Sequence, residues 1–113
     1  MRSSSFLKPK ITSWEAGEVP TEVALGQFLK EEGLSYQPWS NGPHDLYPPH
    51  VHTYNKIIYV LRGSITFILP EEDQIITLNP GDRLELPAKI VHSAVVSSQG
   101  VTCFEAHCQE IIS

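Results

Sequence analysis

His50 and His52 stand two residues apart, and Lys56 follows four residues later. In an extended chain alternate side chains share a face, so His50, His52, Tyr54, Lys56, Ile58 and Val60 point the same way. Ile58 and Val60 are apolar, which turns that face toward an interior. Two imidazoles at the mouth of such an interior make the beginning of a metal site. His92, on a later strand beyond Pro87, is the third candidate donor. Three converging imidazoles would bind a divalent transition metal and leave coordination positions open. Lys56 pulls the other way, because an inward ammonium repels a nearby cation. An inward charge needs a partner, and Glu85 in "DRLELP" and Glu105 in "VTCFEAH" are the candidates. If neutral, Lys56 could instead serve as a base or an amine nucleophile.

The other chemistry-bearing residues are less determined. Tyr54 has the inward parity and reads equally as a pocket hydrogen-bond donor or a packing residue. His44 lies in a loop and reads as solvated, and His107 as a surface residue of the last strand. Trp39 and Trp14 read first as packing residues; Trp39 is also placed to wall the pocket, and Trp14 to cover a sheet of a neighbouring subunit. Cys103 and Cys108 are five apart on one expected strand and so face opposite ways. They read as free thiols in a reducing, cytoplasmic setting.

These residues need a scaffold of strands. "PTEVALGQFLKEEG" reads as one short helix, with Thr21 as N-cap and Gly33 as terminator. Beyond it, "LSYQPW" reads as a strand and "SNGPHDLYPP" as a loop. "HVHTYNKIIYVLRG", "SITFILP", "IITLNPG", "DRLELPAKIVHSAVVSS" around Pro87, and "VTCFEAHCQEII" supply the remaining strands. Short β-branched and aromatic runs with regular turn signals predict an antiparallel barrel or sandwich. Residues 1–33 form an arm and helix, and 34–113 the barrel of a single domain.

Composition narrows the function classes. At 113 residues the chain suits one domain. A net charge of −5 without a basic cluster argues against gripping nucleic acid or an anionic membrane. No apolar run has the length of a membrane span, and the first residues lack the apolar core of a signal peptide.

The spacing of the landmarks resembles the two motifs of the cupins. His50, His52, Lys56 and Gly63 follow H-x-H-x3-(acid)-x6-G; Gly81, Pro87, Lys89, His92 and Val96 follow G-x5-P-x-G-x2-H-x3-N. Three positions depart: the acid is Lys56, the second glycine of the second motif is Lys89, and the asparagine is Val96. The resemblance implies an all-β, cupin-type antiparallel β-barrel (a jelly roll) that assembles as a homodimer. It also implies a small-molecule ligand and a divalent metal, such as zinc, iron, nickel or manganese, on His50, His52 and His92. Three-histidine sites without the acid occur in the family, as in the thiol dioxygenases. Three functions follow: a metal-dependent enzyme of oxygenase, isomerase or lyase type, in which Lys56 or Tyr54 orients substrate or moves a proton; a metal-free module binding a small anion through Lys56 and the histidines; and a structural protein with a filled barrel. Fold alone does not choose among them.

Overall fold

The computed structural model describes residues 8–108. Residues 109–112, the expected end of the last strand, lie outside them. Among the described residues seven strands and one α-helix follow in the order β1 (Lys10–Thr12), α1 (Glu22–Glu31), β2 (Gln37–Asn41), β3 (Leu46–His50), β4 (Asn55–Leu69), β5 (Gln74–Leu78), β6 (Arg83–Leu86) and β7 (His92–Cys108), with a 3-10 turn at Pro70–Glu72 between β4 and β5. All pairings are antiparallel. The path β1-β6-β4-β7-β2 carries β3 on β7 and β5 on β4.

The two long strands, β4 and β7, are the spine. Each was expected as two strands and is one, bent in the middle. The bend falls where β4 shifts register between Val60 and Ile65, opposite Val96–Cys103 of β7. Gly63 sits there with φ +75°, and a Cβ on it would collide with the Gly100 carbonyl. Bulges of this kind bend strands and let a sheet curl into a barrel. Inside lie Ile58, Val60, Ile65, Phe67, Leu69 and their neighbours from β5, β6 and β7.

One outer face is also covered. Leu25 and Leu29 of α1 pack on Ile57, Tyr59, Leu61, Phe104 and Ala106. The run "IIYVL" is therefore buried on both faces, which is why it lacks polar alternation. Thr21 caps the helix by accepting from the Ala24 amide at 3.1 Å, and Gly33 ends it with φ +75°. Arg83 ties the helix end to the barrel. Its guanidinium donates to both carboxylate oxygens of Glu32, at 2.6 and 2.9 Å, and to the Tyr59 hydroxyl at 2.9 Å.

One expectation is revised. "LYPPH" belongs to a strand rather than a loop. Among the described residues β3 pairs only with β7, so Pro48 and Pro49 stand on an edge where missing amide donors are tolerated. The described part of the N-terminal arm caps its own barrel, in keeping with the packing reading of Trp14. β1 pairs with β6, and the Trp14 ring lies on Gly81, held by its amide on Asp82 Oδ1 at 2.9 Å. Among the described residues no helix is long and apolar enough to cross a membrane.

Candidate metal centre

His50 ends β3 and stands opposite His92, the first residue of β7. His52 lies in the short irregular segment between β3 and β4. The three do not share one strand, yet the inward parity survives the break. His50, His52, Tyr54, Lys56 and Ile58 all line one cavity of about 320 Å³. Two hydrogen bonds fix the segment carrying His52. The Lys89 amide donates to the His52 carbonyl at 2.8 Å, and the Ala88 amide to Asn55 Oδ1 at 2.8 Å. Lys89 holds φ +67°, the left-handed turn that a glycine would adopt without strain. The substitution thus changes the residue and keeps the turn. Val96, in the asparagine position, is buried in the barrel core.

The potential ligand atoms of His50, His52 and His92 lie within 4.8 Å of one another. His50 Nδ1 is 2.7 Å from the Pro48 carbonyl, and His92 Nδ1 is 2.9 Å from the Ile90 carbonyl. A carbonyl can only accept, so each Nδ1 carries the proton and, in the neutral ring that ligates a metal, Nε2 keeps its lone pair. His52 Nε2 is buried without a hydrogen-bond partner. An orphaned ring nitrogen beside two free Nε2 atoms is the donor set a divalent transition metal takes. Burial, then the charge of Lys56, then the other histidines lower the His52 pKa to about 4. Burial comes first for His92 as well, and its pKa is also lowered. Both rings are neutral at pH 7, as ligation requires.

Lys56 has its partner in Glu105, with Nζ 3.4 Å from Oε1. Glu85 is not that partner. It faces the other side of the sheet, opposite Ile57, and pairs with Arg83 at 3.2 Å. Glu105 accepts two further donors: Trp39 Nε1 on Oε1 at 3.1 Å, and His107 Nε2 on Oε2 at 2.6 Å. Burial alone would raise the Glu105 pKa. Lys56 and His107 outweigh burial and hold it below the usual carboxylate value. Tyr54 stacks on His107 with ring centroids 4.0 Å apart and borders His52 at 4.9 Å. Burial, with Glu105 adding, raises its pKa, so the phenol keeps its proton at pH 7.

Trp39 lines the cavity as expected. His107 is exposed as expected, yet it also anchors Glu105. His44 is an exposed turn residue with φ +64°, outside the histidine group. Cys103 lies in the barrel core and Cys108 against the helix-side cluster, so the thiols are free and face opposite ways. Tyr47 was not singled out from the sequence. It reaches the cavity from the unexpected strand β3, where its hydroxyl donates to Asn41 Oδ1.

Comparison with known proteins agrees with the barrel fold. Residues 40–104 match the family model described as the cupin domain. No curated protein sequence matches the chain. Among solved structures, KdgF from Halomonas sp. is similar at TM-score 0.56 and 24% identity, over 66% of this chain and 68% of that one. The DMSP lyase DddQ from Ruegeria pomeroyi DSS-3 gives 0.59 and 19%, over 71% and 43%. A cupin superfamily protein from Desulfitobacterium hafniense DCB-2 gives 0.59 and 12%, over 96% and 84%. At these identities the likeness concerns the barrel alone. The family match spans more than half of the chain and contains all three histidines, and the chain belongs to the cupin family.

Proposed function

We propose that this cupin holds a divalent transition metal on His50, His52 and His92 and acts on a small organic molecule in the adjoining cavity. One observation carries the reading. Three imidazoles converge within 4.8 Å, two of them fixed through Nδ1 to backbone carbonyls and the third with a buried, unpartnered Nε2. A metal bound there supplies Lewis acidity or an oxygen-activating centre. Ile58, Ile65, Phe67 and Ala94 give the cavity an apolar wall against which the body of a small organic molecule can rest. Tyr54, protonated at pH 7, can donate a hydrogen bond to substrate. Lys56, held by Glu105, can orient a substrate oxygen. Oxygenase, isomerase and lyase chemistry all suit this equipment.

Lys56 favours a second reading, a metal-free binding module. Its pairing with Glu105 weakens that reading, because the pair is neutral as a unit and the repulsion of a cation is offset. The open cavity likewise gives no support to a barrel filled with side chains.

Elemental analysis decides. Protein purified without added metal or affinity nickel should carry near one equivalent of a transition metal, and the His50→Ala/His92→Ala variant almost none. Wild-type protein that holds no metal, and takes up none on dialysis against zinc, iron, nickel or manganese, would overturn the reading.

A further inference from the structure

Lys56 and Glu105 do more than cancel one another. Both Glu105 oxygens are committed: Oε1 to Trp39 and Lys56, and Oε2 to His107. The carboxylate is pinned from β2, β4 and β7 and has little capacity left for a ligand. Lys56 is in the opposite condition. An ammonium has three donors, and among the described residues its one partner is Glu105, at the long distance of 3.4 Å. Its side chain is 12% exposed and lines the cavity, so the unused donors have a ligand to meet there and little bulk water.

The charge balance points the same way. A divalent ion brings two positive charges, the three histidines none, and the Lys56–Glu105 pair none. An acid in place of Lys56 would subtract from that charge, and here nothing does. The rest of the wall is apolar or aromatic, from Ile58, Ile65, Phe67 and Ala94 to Trp39. A volume of about 320 Å³ has room for roughly ten water-sized groups.

We propose that the ligand of this cavity is a small organic carboxylate with an apolar body, its charged end on Lys56 and its body against the apolar wall. The inference deepens the metal reading and rests on it for the positive charge of the site. Glu105, Trp39 and His107 are positioning residues that hold the Lys56 ammonium in place.

The test compares benzoate with its neutral isostere benzamide, by calorimetry, on protein whose zinc content has been measured. Benzoate should bind at least tenfold more tightly than benzamide. The Lys56→Gln/Glu105→Gln variant keeps the net charge of the pair at zero, so zinc content should hold while benzoate affinity falls at least tenfold and benzamide affinity does not. Lys56→Arg should keep the benzoate preference, which distinguishes lost contact from lost fold. Wild-type protein that does not prefer benzoate, or a zinc-replete double variant that binds it as wild type does, would sink the inference. The same pair of ligands is read on metal-free protein. Lys56-dependent benzoate binding there, in a chain that takes up no metal, would sustain the carboxylate seat and overturn the metal reading alone.

Discussion

The chemistry at residue scale turns on a swap of position. Where the motif has an acid the chain has Lys56, and the acid it pairs with, Glu105, comes from the last strand. Glu105 therefore bears on metal affinity although it lies outside the histidine group. Removing its charge with Glu105→Gln leaves the ammonium uncompensated near the three rings, and zinc affinity should fall about tenfold, near 1.4 kcal/mol. Adding Lys56→Gln should restore most of it. A competition titration with a chromophoric chelator reads both steps, and a double variant as weak as the single one would show that charge is not the cause. Lys89 offers a separate check. It holds a left-handed backbone at φ +67° and is exposed, so Lys89→Gly should raise unfolding free energy by about 1 kcal/mol in urea melts, with metal content unchanged.

At the scale of elements, what was legible in the sequence divides at the bulges. Side-chain parity placed His50, His52, Tyr54, Lys56 and Ile58 correctly, because the irregular segment before β4 preserves it. Glu105 could not be placed in this way. Along β7 the even positions Ala94 and Val96 face inward, and beyond the register shift between Val96 and Val101 the odd positions Val101 and Cys103 do. One extra residue reverses every facing beyond it, and a sequence does not mark which residue is extra. β3 was missed for another reason. Two consecutive prolines argue against a strand unless it lies on an edge, and edge position is a tertiary fact. The spacing of Gly63, Gly81 and His92 was legible because it records turns and bends, which depend on local geometry. Arg83 was also overlooked, since one arginine in a strand carries no pattern. In the structure it joins α1, β4 and β6 through Glu32, Tyr59 and Glu85. Its side chain is 12% exposed, and Arg83→Met would leave the buried Glu85 without a counter-charge. A loss of about 3 kcal/mol is expected from denaturant melts. Metal content should persist, because α1 packs on the face of the sheet opposite the histidines.

For the whole molecule, the site makes stability depend on pH even without metal. The folded pKa of His52 is about 4, against an ordinary value of 6.5, and that of His92 is lowered too. Between pH 6.5 and 4 the unfolded chain therefore binds protons that the folded chain refuses, so stability falls as pH falls through that window. Glu105 acts in the same direction at lower pH. Its folded pKa lies below the unfolded carboxylate value, so its contribution is present above about pH 4.5 and is lost on further acidification. Lys56 faces these groups from β4 and, after burial, adds to the lowering of the His52 and His92 pKa values. Metal-free protein should thus show a melting temperature that drops steadily from pH 6.5 downward. The His52→Gln/His92→Gln variant should be flatter between pH 6.5 and 4, and Glu105→Gln flatter below 4.5. Bound metal steepens the dependence, since each proton taken up by a ring removes a ligand. Melts across pH 3.5–7.5 with and without chelator read all of this. Equal slopes in wild type and the histidine variant would mean that the His52 and His92 rings are as easily protonated in the fold as in water, and their lowered pKa values would have to be abandoned.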